Sequence, residues 1–190
     1  MKFSPQIFGY QRNSDGSLTQ LNINPNLPAA PANLPGYCPY LTAVGNDFHL
    51  FTTLTPEDFS PQGPTQIGVY SVNSDGTLTT TSTAANMPAT VLKTVRDLKL
   101  DPTSAFLAVA GQGGLQLFAT HGSSPVTPLA SPLTVEVDQM FWDNAGHLYA
   151  ISTPGNGVYV FTVTATGATP VSGSPYTLQN PVHLAVQPLT

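Results

Sequence analysis

The chain contains one short motif twice. Residues 66–79 read QIGVYSVNSDGTLT and residues 6–19 read QIFGYQRNSDGSLT, so that 60 positions separate the two copies. In each copy an apolar run ends in an aromatic residue, Tyr10 or Tyr70, and leads to a Ser-Asp-Gly turn and a Leu-Thr restart. That order predicts a β-hairpin. Weaker copies around Phe118 and Phe161 have the same spacing between an aromatic residue and a turn. The four copies indicate a repeat protein with four such hairpins.

Composition favours a single all-β domain over residues 1–190. Nineteen Pro and sixteen Gly interrupt the 190 residues so often that no stretch of helical periodicity remains. Hydrophobic residues make up 41% of the chain, which is enough to order it, although only 8% of residues are charged.

Charge and cysteine content restrict the partners and the chemistry. Five Lys and Arg residues and a net charge of -5 provide no basic patch, so nucleic acid is not expected as a partner. No run approaches the roughly 20 apolar residues of a membrane span. Cys38 is the only cysteine, which excludes an internal disulfide, and we expect it to pack as a small hydrophobe and not to act as a nucleophile. A polar surface rich in Thr, Ser, Asn and Gln indicates an exported protein, extracellular or periplasmic, whose targeting segment is not part of this sequence.

Strand-like runs recur in groups of four. The groups cover residues 39–82, 96–129 and 138–171, and corresponding positions lie 41 to 60 residues apart. Four short strands per unit at a period of about 40 to 50 residues predict the blades of a β-propeller, whereas a sandwich would not repeat in fours. The first hairpin, 6–21, and a last run, 182–186, are expected to share a further blade.

Three phrases carry a resemblance to a known family: VRDLKLDPTSAFLAVAGQGG, GVYVFTVTATGATPVSGSPYTLQNPVHLAVQP and IGVYSVNSDGTLT. They resemble the lactonase-type β-propellers, the group with bacterial 6-phosphogluconolactonase and fungal carboxymuconate-lactonising enzyme. The resemblance covers nearly the whole chain and implies a propeller, in a family whose members normally have seven blades, with about four blades here. We expect a half-ring or a fragment of a longer propeller, with a four-bladed ring as the alternative. Open blade edges would then favour a homodimer.

Candidate site residues follow from the first strand of each blade, which lines the channel of a propeller. The equivalent pairs there are Tyr40-Leu41, Arg96-Asp97, Asp138-Gln139 and Val182-His183. In the family the pair is often Arg-His, so the resemblance implies that Arg96 and His183 are catalytic candidates with Asp97, on different blades. Tyr40, Asp138 and Gln139 are binding candidates. The alternative for Arg96 and Asp97 is a structural network between neighbouring blades.

Two functions remain open at this point. The first is a non-catalytic propeller that serves as a binding or interaction scaffold for a small molecule or protein in the channel. The second, implied by the resemblance, is a lactonase-like hydrolase in which His183 would act as general base and Arg96 would hold a carboxylate or the developing oxyanion. No metal and no cofactor are expected, because no short-range cluster supplies three or four ligands.

Overall fold

The computed structural model describes residues 7–21, 27–32, 34–57 and 61–187. Within those residues the secondary structure is entirely β, with no helix that could span a membrane. The strands are β1 (Tyr10–Arg12), β2 (Leu18–Gln20), β3 (Gly36–Val44), β4 (His49–Glu57), β5 (Gln66–Val72), β6 (Leu78–Thr79), β7 (Thr94–Leu100), β8 (Phe106–Gln112), β9 (Gly114–His121), β10 (Ser124–Leu133), β11 (Gln139–Trp142), β12 (His147–Ser152), β13 (Gly157–Thr164), β14 (Gly167–Pro170) and β15 (Tyr176–Thr177).

Three antiparallel sheets of the same topology follow one another along the chain. They are β3 to β6, β7 to β10 and β11 to β14, each a meander in chain order, and β15 adds to β13 in the third. The first strand of the middle sheet, β7, contacts the first strands of both neighbours, β3 and β11. Side-by-side first strands of four-stranded sheets are the arrangement of propeller blades. The prediction of an all-β propeller is therefore confirmed.

Apolar side chains fill the seams between the blades. The first seam contains Phe51, Ile67 and Val69 of the first blade together with Leu98 and Leu107 of the second. The second seam contains Ala108 and Leu115 of the second blade with Met140 and Trp142 of the third. Trp142 also donates a hydrogen bond from Nε1 to the Lys99 carbonyl oxygen at 3.3 Å, across the same seam. Trp142 therefore belongs to the inter-blade core.

The repeated hairpin turns are built alike. Asp15 Oδ1 accepts the Ser17 N–H at 2.9 Å, and Asp75 Oδ1 accepts the Thr77 N–H at the same distance. Hydrogen bonds from Ser17 and from Thr77 hold the pKa of each carboxyl below its usual value. Both aspartates therefore cap their turns.

The two hairpin copies differ in what surrounds them. Tyr70 on β5 lies beside Leu50 of β4 and is 1% exposed, whereas Tyr10 on β1 is 53% exposed. The structure pairs β1 with β2, and it places residues 181–187 outside any strand. The sharing of a blade by 6–21 and 182–186 stays a prediction, and Gln6 lies outside the described residues.

The fourth strand of the second blade is longer than the sequence predicts, and its prolines explain its irregular pairing. The sequence predicts 126–129 as a strand, and the structure extends β10 over Ser124–Leu133. This strand contains Pro125, Pro128 and Pro132 and pairs with β9 through three register shifts. Because proline has no N–H to donate, a strand that includes it is continued through irregular pairing.

Candidate functional site

Irregular pairing on two first strands lies at the predicted channel positions. The β3–β4 register shifts between Pro39 and Thr42, and the β7–β8 register shifts between Val95 and Asp97. Tyr40 lies in the first irregularity and Arg96 in the second. Bulges of this kind bend a strand and re-aim a side chain, so both residues are displaced from regular ladder positions.

Arg96 is held by two carboxylates of the next blade. Its Nη2 lies 2.6 Å from Glu136 Oε1, and its Nη1 pairs with Asp138 Oδ1. Asp138 Oδ2 also accepts the Thr153 N–H at 2.7 Å. Burial opposes ionisation of Asp138, but the hydrogen bonds from Thr153 and the charge of Arg96 hold the pKa of that carboxyl below its usual value. The guanidinium is therefore neutralised in an ion-pair network that joins the second blade to the third.

Asp97 makes a second connection across the same seam. Its Oδ2 accepts the Met140 N–H at 2.8 Å, and its Oδ1 accepts the Leu98 N–H at 2.9 Å. Lys99 Nζ lies 3.5 Å from Oδ1. Asp97 is therefore engaged with backbone donors, and the contacts of Arg96 and Asp97 are those expected of a structural network between blades.

Gln139 contacts the segment that carries His183. Gln139 Oε1 accepts the Leu184 N–H at 2.9 Å, and Thr153 Oγ1 donates to the Pro181 carbonyl oxygen at 2.8 Å. These two bonds hold the 181–187 segment against β11. His183 is exposed and makes no side-chain hydrogen bond or ion pair with the residues that the structure describes.

The structure connects some of the predicted residues, and their role as a site stays a prediction. Arg96, Asp97 and Asp138 lie at the second seam. Arg96 of the second blade pairs with Asp138 of the third, and Asp97 accepts the Met140 N–H of the third blade. Gln139 holds the C-terminal segment that carries His183, and Tyr40 lies apart from them on β3.

Tyr40 belongs to a small cluster with Glu57 and Cys38. The Tyr40 hydroxyl donates to Glu57 Oε1, and this bond together with burial raises the pKa of Tyr40 to about 12. Burial, assisted by Glu57, raises the pKa of the Cys38 thiol to about 11. A thiol with that pKa stays protonated near neutral pH, which agrees with the expectation that Cys38 is not a nucleophile.

Metal-ligating side chains do not cluster in the part of the chain that the structure describes. No group of three His, Cys, Asp or Glu side chains that could hold a metal ion occurs among residues 7–21, 27–32, 34–57 and 61–187. His147 Nδ1 lies 2.8 Å from Asp143 Oδ2, and His49 Nδ1 lies 2.8 Å from Asp47 Oδ2. The expectation that the protein needs no metal and no cofactor stays a prediction.

A pocket of about 350 Å³ opens between the first and second blades. Its walls come from β3, the end of β4, the 61–65 loop and the start of β7. The lining includes Tyr40, Thr53, Thr55, Thr65, Leu92 and Lys93.

Sequence reasoning missed Glu136 in the ion-pair network of Arg96 and most of the residues that line the pocket. Glu136 was not singled out, because its contact with Arg96 joins positions 40 residues apart. One threonine of the pocket did leave a signal. Thr53 lies on a second strand, in TTLT at 52–55, at a position where the other two blades have Ala110 and Ile151.

The comparisons with known proteins show the fold. No family model matches this sequence, and no curated protein is found to be similar to it. A protein of Bacteroides uniformis provisionally named 6-phosphogluconolactonase is similar in structure, with a TM-score of 0.53, 14% identity and coverage of 92% of this chain. A second, from Bacteroides fragilis with the same provisional name, gives a TM-score of 0.52, 15% identity and 93% coverage. The chain spans 66% of the length of each, just under two thirds. Its fold is that of the lactonase-type β-propellers.

Proposed function

We propose that this chain is a non-catalytic β-propeller that serves as a binding or interaction scaffold. The observation that carries the proposal is the neutralisation of Arg96 by Glu136 and Asp138. An arginine that stabilises a developing oxyanion must direct donors at the reacting oxygen. Here the guanidinium donors are directed at two protein carboxylates, so Arg96 acts as a connection between blades.

The second candidate is a lactonase-like hydrolase. Its support is the fold shared with proteins provisionally named 6-phosphogluconolactonase. The family resemblance adds that Arg96 and His183 stand at the family's arginine and histidine positions, on different blades. Hydrolysis requires a general base within hydrogen-bond reach of the attacking water. It also requires a group that holds the substrate. His183 lies on a segment that contacts β11 through Gln139, whereas Arg96 faces Glu136 and Asp138, so the observed contacts favour the scaffold.

Lactone hydrolysis distinguishes the two candidates. We expect the purified chain to hydrolyse 6-phosphogluconolactone and simpler lactones no faster than buffer does, because the Arg96 donors are already paired with Glu136 and Asp138. The measurement is proton release in weakly buffered solution. Matched variants are Arg96→Ala, His183→Ala and, as a control away from the channel positions, His121→Ala.

Turnover by the wild-type chain would contradict the scaffold proposal. Turnover that is lost in Arg96→Ala and His183→Ala but retained in His121→Ala would establish the hydrolase and assign its site. Turnover that survives both channel variants would also contradict the proposal, and would place the chemistry elsewhere.

Export and self-association belong to the same proposal. The polar, charge-poor surface supports an extracellular or periplasmic location. In the described part of the chain, β1 has β2 as its strand neighbour, and the exposed Tyr10 on β1 and Leu18 on β2 support pairing with a second copy. A strict monomer in sedimentation experiments would contradict this dimer.

A further inference from the structure

We propose that the pocket between the first and second blades binds a small organic carboxylate whose body is planar or apolar. This inference rests on the proposed binding function and names its ligand class. The site is distinct from the ion-pair network of Arg96, which lies at the other seam of the second blade.

The pocket continues the first seam, but its walls change from apolar to hydroxyl-bearing. Residues two apart on a strand face the same side, so Phe51, Thr53 and Thr55 of the first blade share one face. Phe51 is fully buried in the apolar core of the seam, whereas Thr53 and Thr55, which are also buried, line the pocket. The next strand repeats the change, since Ile67 lies in the core and Thr65 in the pocket.

The second blade supplies an internal reference for these positions. Matching Leu50 with Leu107 places Ala110 where the first blade has Thr53, and Gln112 where it has Thr55. Ala110 is fully buried in the apolar core of the second seam. The Thr53 hydroxyl is therefore a departure of the first blade from the repeat, and such departures from the rule of a fold concentrate at functional sites.

The polar groups of the pocket leave an excess of hydrogen-bond donors. Thr53 Oγ1 accepts the Leu41 N–H at 3.0 Å, so its own hydrogen is available to donate. Thr55 Oγ1 and Thr65 Oγ1 lie 2.7 Å apart; one donates to the other, and the hydroxyl that accepts retains a hydrogen of its own. Lys93 adds an ammonium group that forms no ion pair within the described residues. Two hydroxyl donors and a cation match the two oxygens of a carboxylate.

The remaining lining determines the body of the ligand. The Tyr40 ring is fixed by the hydrogen bond from its hydroxyl to Glu57, so its face can pack against a flat group without loss of further side-chain freedom. Leu92, Val95, Pro61 and Pro64 supply the rest of the apolar wall. A volume of about 350 Å³ is at the small end of ligand pockets, which favours a compact acid with one ring or a short chain.

Benzoate is a suitable probe, with benzamide as its uncharged counterpart. We expect calorimetric titration of the full chain to show saturable binding of benzoate at one site, with benzamide bound about tenfold more weakly. Lys93→Met should weaken benzoate about tenfold and leave benzamide unchanged, because only the charged ligand pairs with the ammonium group. Lys99→Met is the matched control. Lys99 is also exposed and lies on β7, the strand that Lys93 directly precedes, but it does not line the pocket.

Absence of saturable benzoate binding, equal affinities for benzoate and benzamide, or an equal effect of Lys93→Met and Lys99→Met would each overturn the inference. These results are separate from the lactone measurement. A chain that binds no benzoate and hydrolyses no lactone would still be a scaffold for another ligand, whereas a chain that hydrolyses lactones refutes the proposed function whatever the pocket binds.

Discussion

Replacing Tyr70 with alanine is expected to lower the free energy of unfolding by about 3–5 kcal/mol, the range for deletion of a large buried aromatic side chain. Tyr70 is 1% exposed, and burial raises the pKa of its hydroxyl to about 12. The measurement is the midpoint of guanidinium unfolding, followed by far-ultraviolet circular dichroism.

The chain provides its own control for this variant. Tyr10 occupies the same place in the other copy of the hairpin but is 53% exposed, so Tyr10→Ala should change the free energy of unfolding by less than about 0.5 kcal/mol. Tyr70 Oη has no hydrogen-bond partner in the described part of the chain, and Tyr70→Phe should therefore not be destabilising. Equal losses for Tyr10→Ala and Tyr70→Ala would contradict the assignment of β5 to a packed blade.

Gly114→Ala is the second variant from which we expect a large loss of stability, about 2–5 kcal/mol. Gly114 has a φ of +123°, and a Cβ built there would lie 2.0 Å from the Leu133 carbonyl oxygen. Backbone strain at positive φ contributes about 1–2 kcal/mol, and displacement of a packed strand contributes about 1–3 kcal/mol. Thermal unfolding measured by calorimetry would test this, since β10 would have to move away from β9.

Gly167→Ala separates the two causes. Gly167 has a φ of +137°, but no atom lies within 4 Å of a Cβ built there. We expect this variant to show the strain term alone, about 1–2 kcal/mol. A loss at Gly167 as large as that at Gly114 would mean that the close approach of Leu133 is not what requires glycine.

The blades could be predicted because their signals are local. A Ser-Asp-Gly turn needs only neighbouring residues to form, so two copies of NSDG predict two hairpins and the structure has the same Asp-capped turn in both. Trp142 could be assigned to an inter-blade core for a similar reason, since a large aromatic residue on a repeated strand is expected to be buried.

The environment of each copy could not be predicted from the motif. Tyr10 and Tyr70 stand in nearly identical sequences, and what buries Tyr70 is β4 and the rest of its blade. Local sequence contains no information on which neighbour a hairpin has in space.

The site was only partly predictable, because it depends on register. Arg96 was expected at a channel position, but the irregular pairing between Val95 and Asp97 and the contact with Glu136 could not be inferred from one sequence. The pocket was missed for the same reason: Thr53, Thr65 and Lys93 are far apart in the chain and meet only when two blades are packed side by side.

We propose that Arg96 joins blades and does not hold a substrate. The most direct test of this role is the coupling energy between Arg96 and Asp138. Unfolding free energies of the wild type, Arg96→Met, Asp138→Asn and the double variant form a double-mutant cycle. Because Arg96 is 41% exposed and solvent screens the pair, we predict a favourable coupling of about 1 kcal/mol. A coupling indistinguishable from zero would contradict the claim, since the guanidinium would then contribute nothing to the connection between the second and third blades.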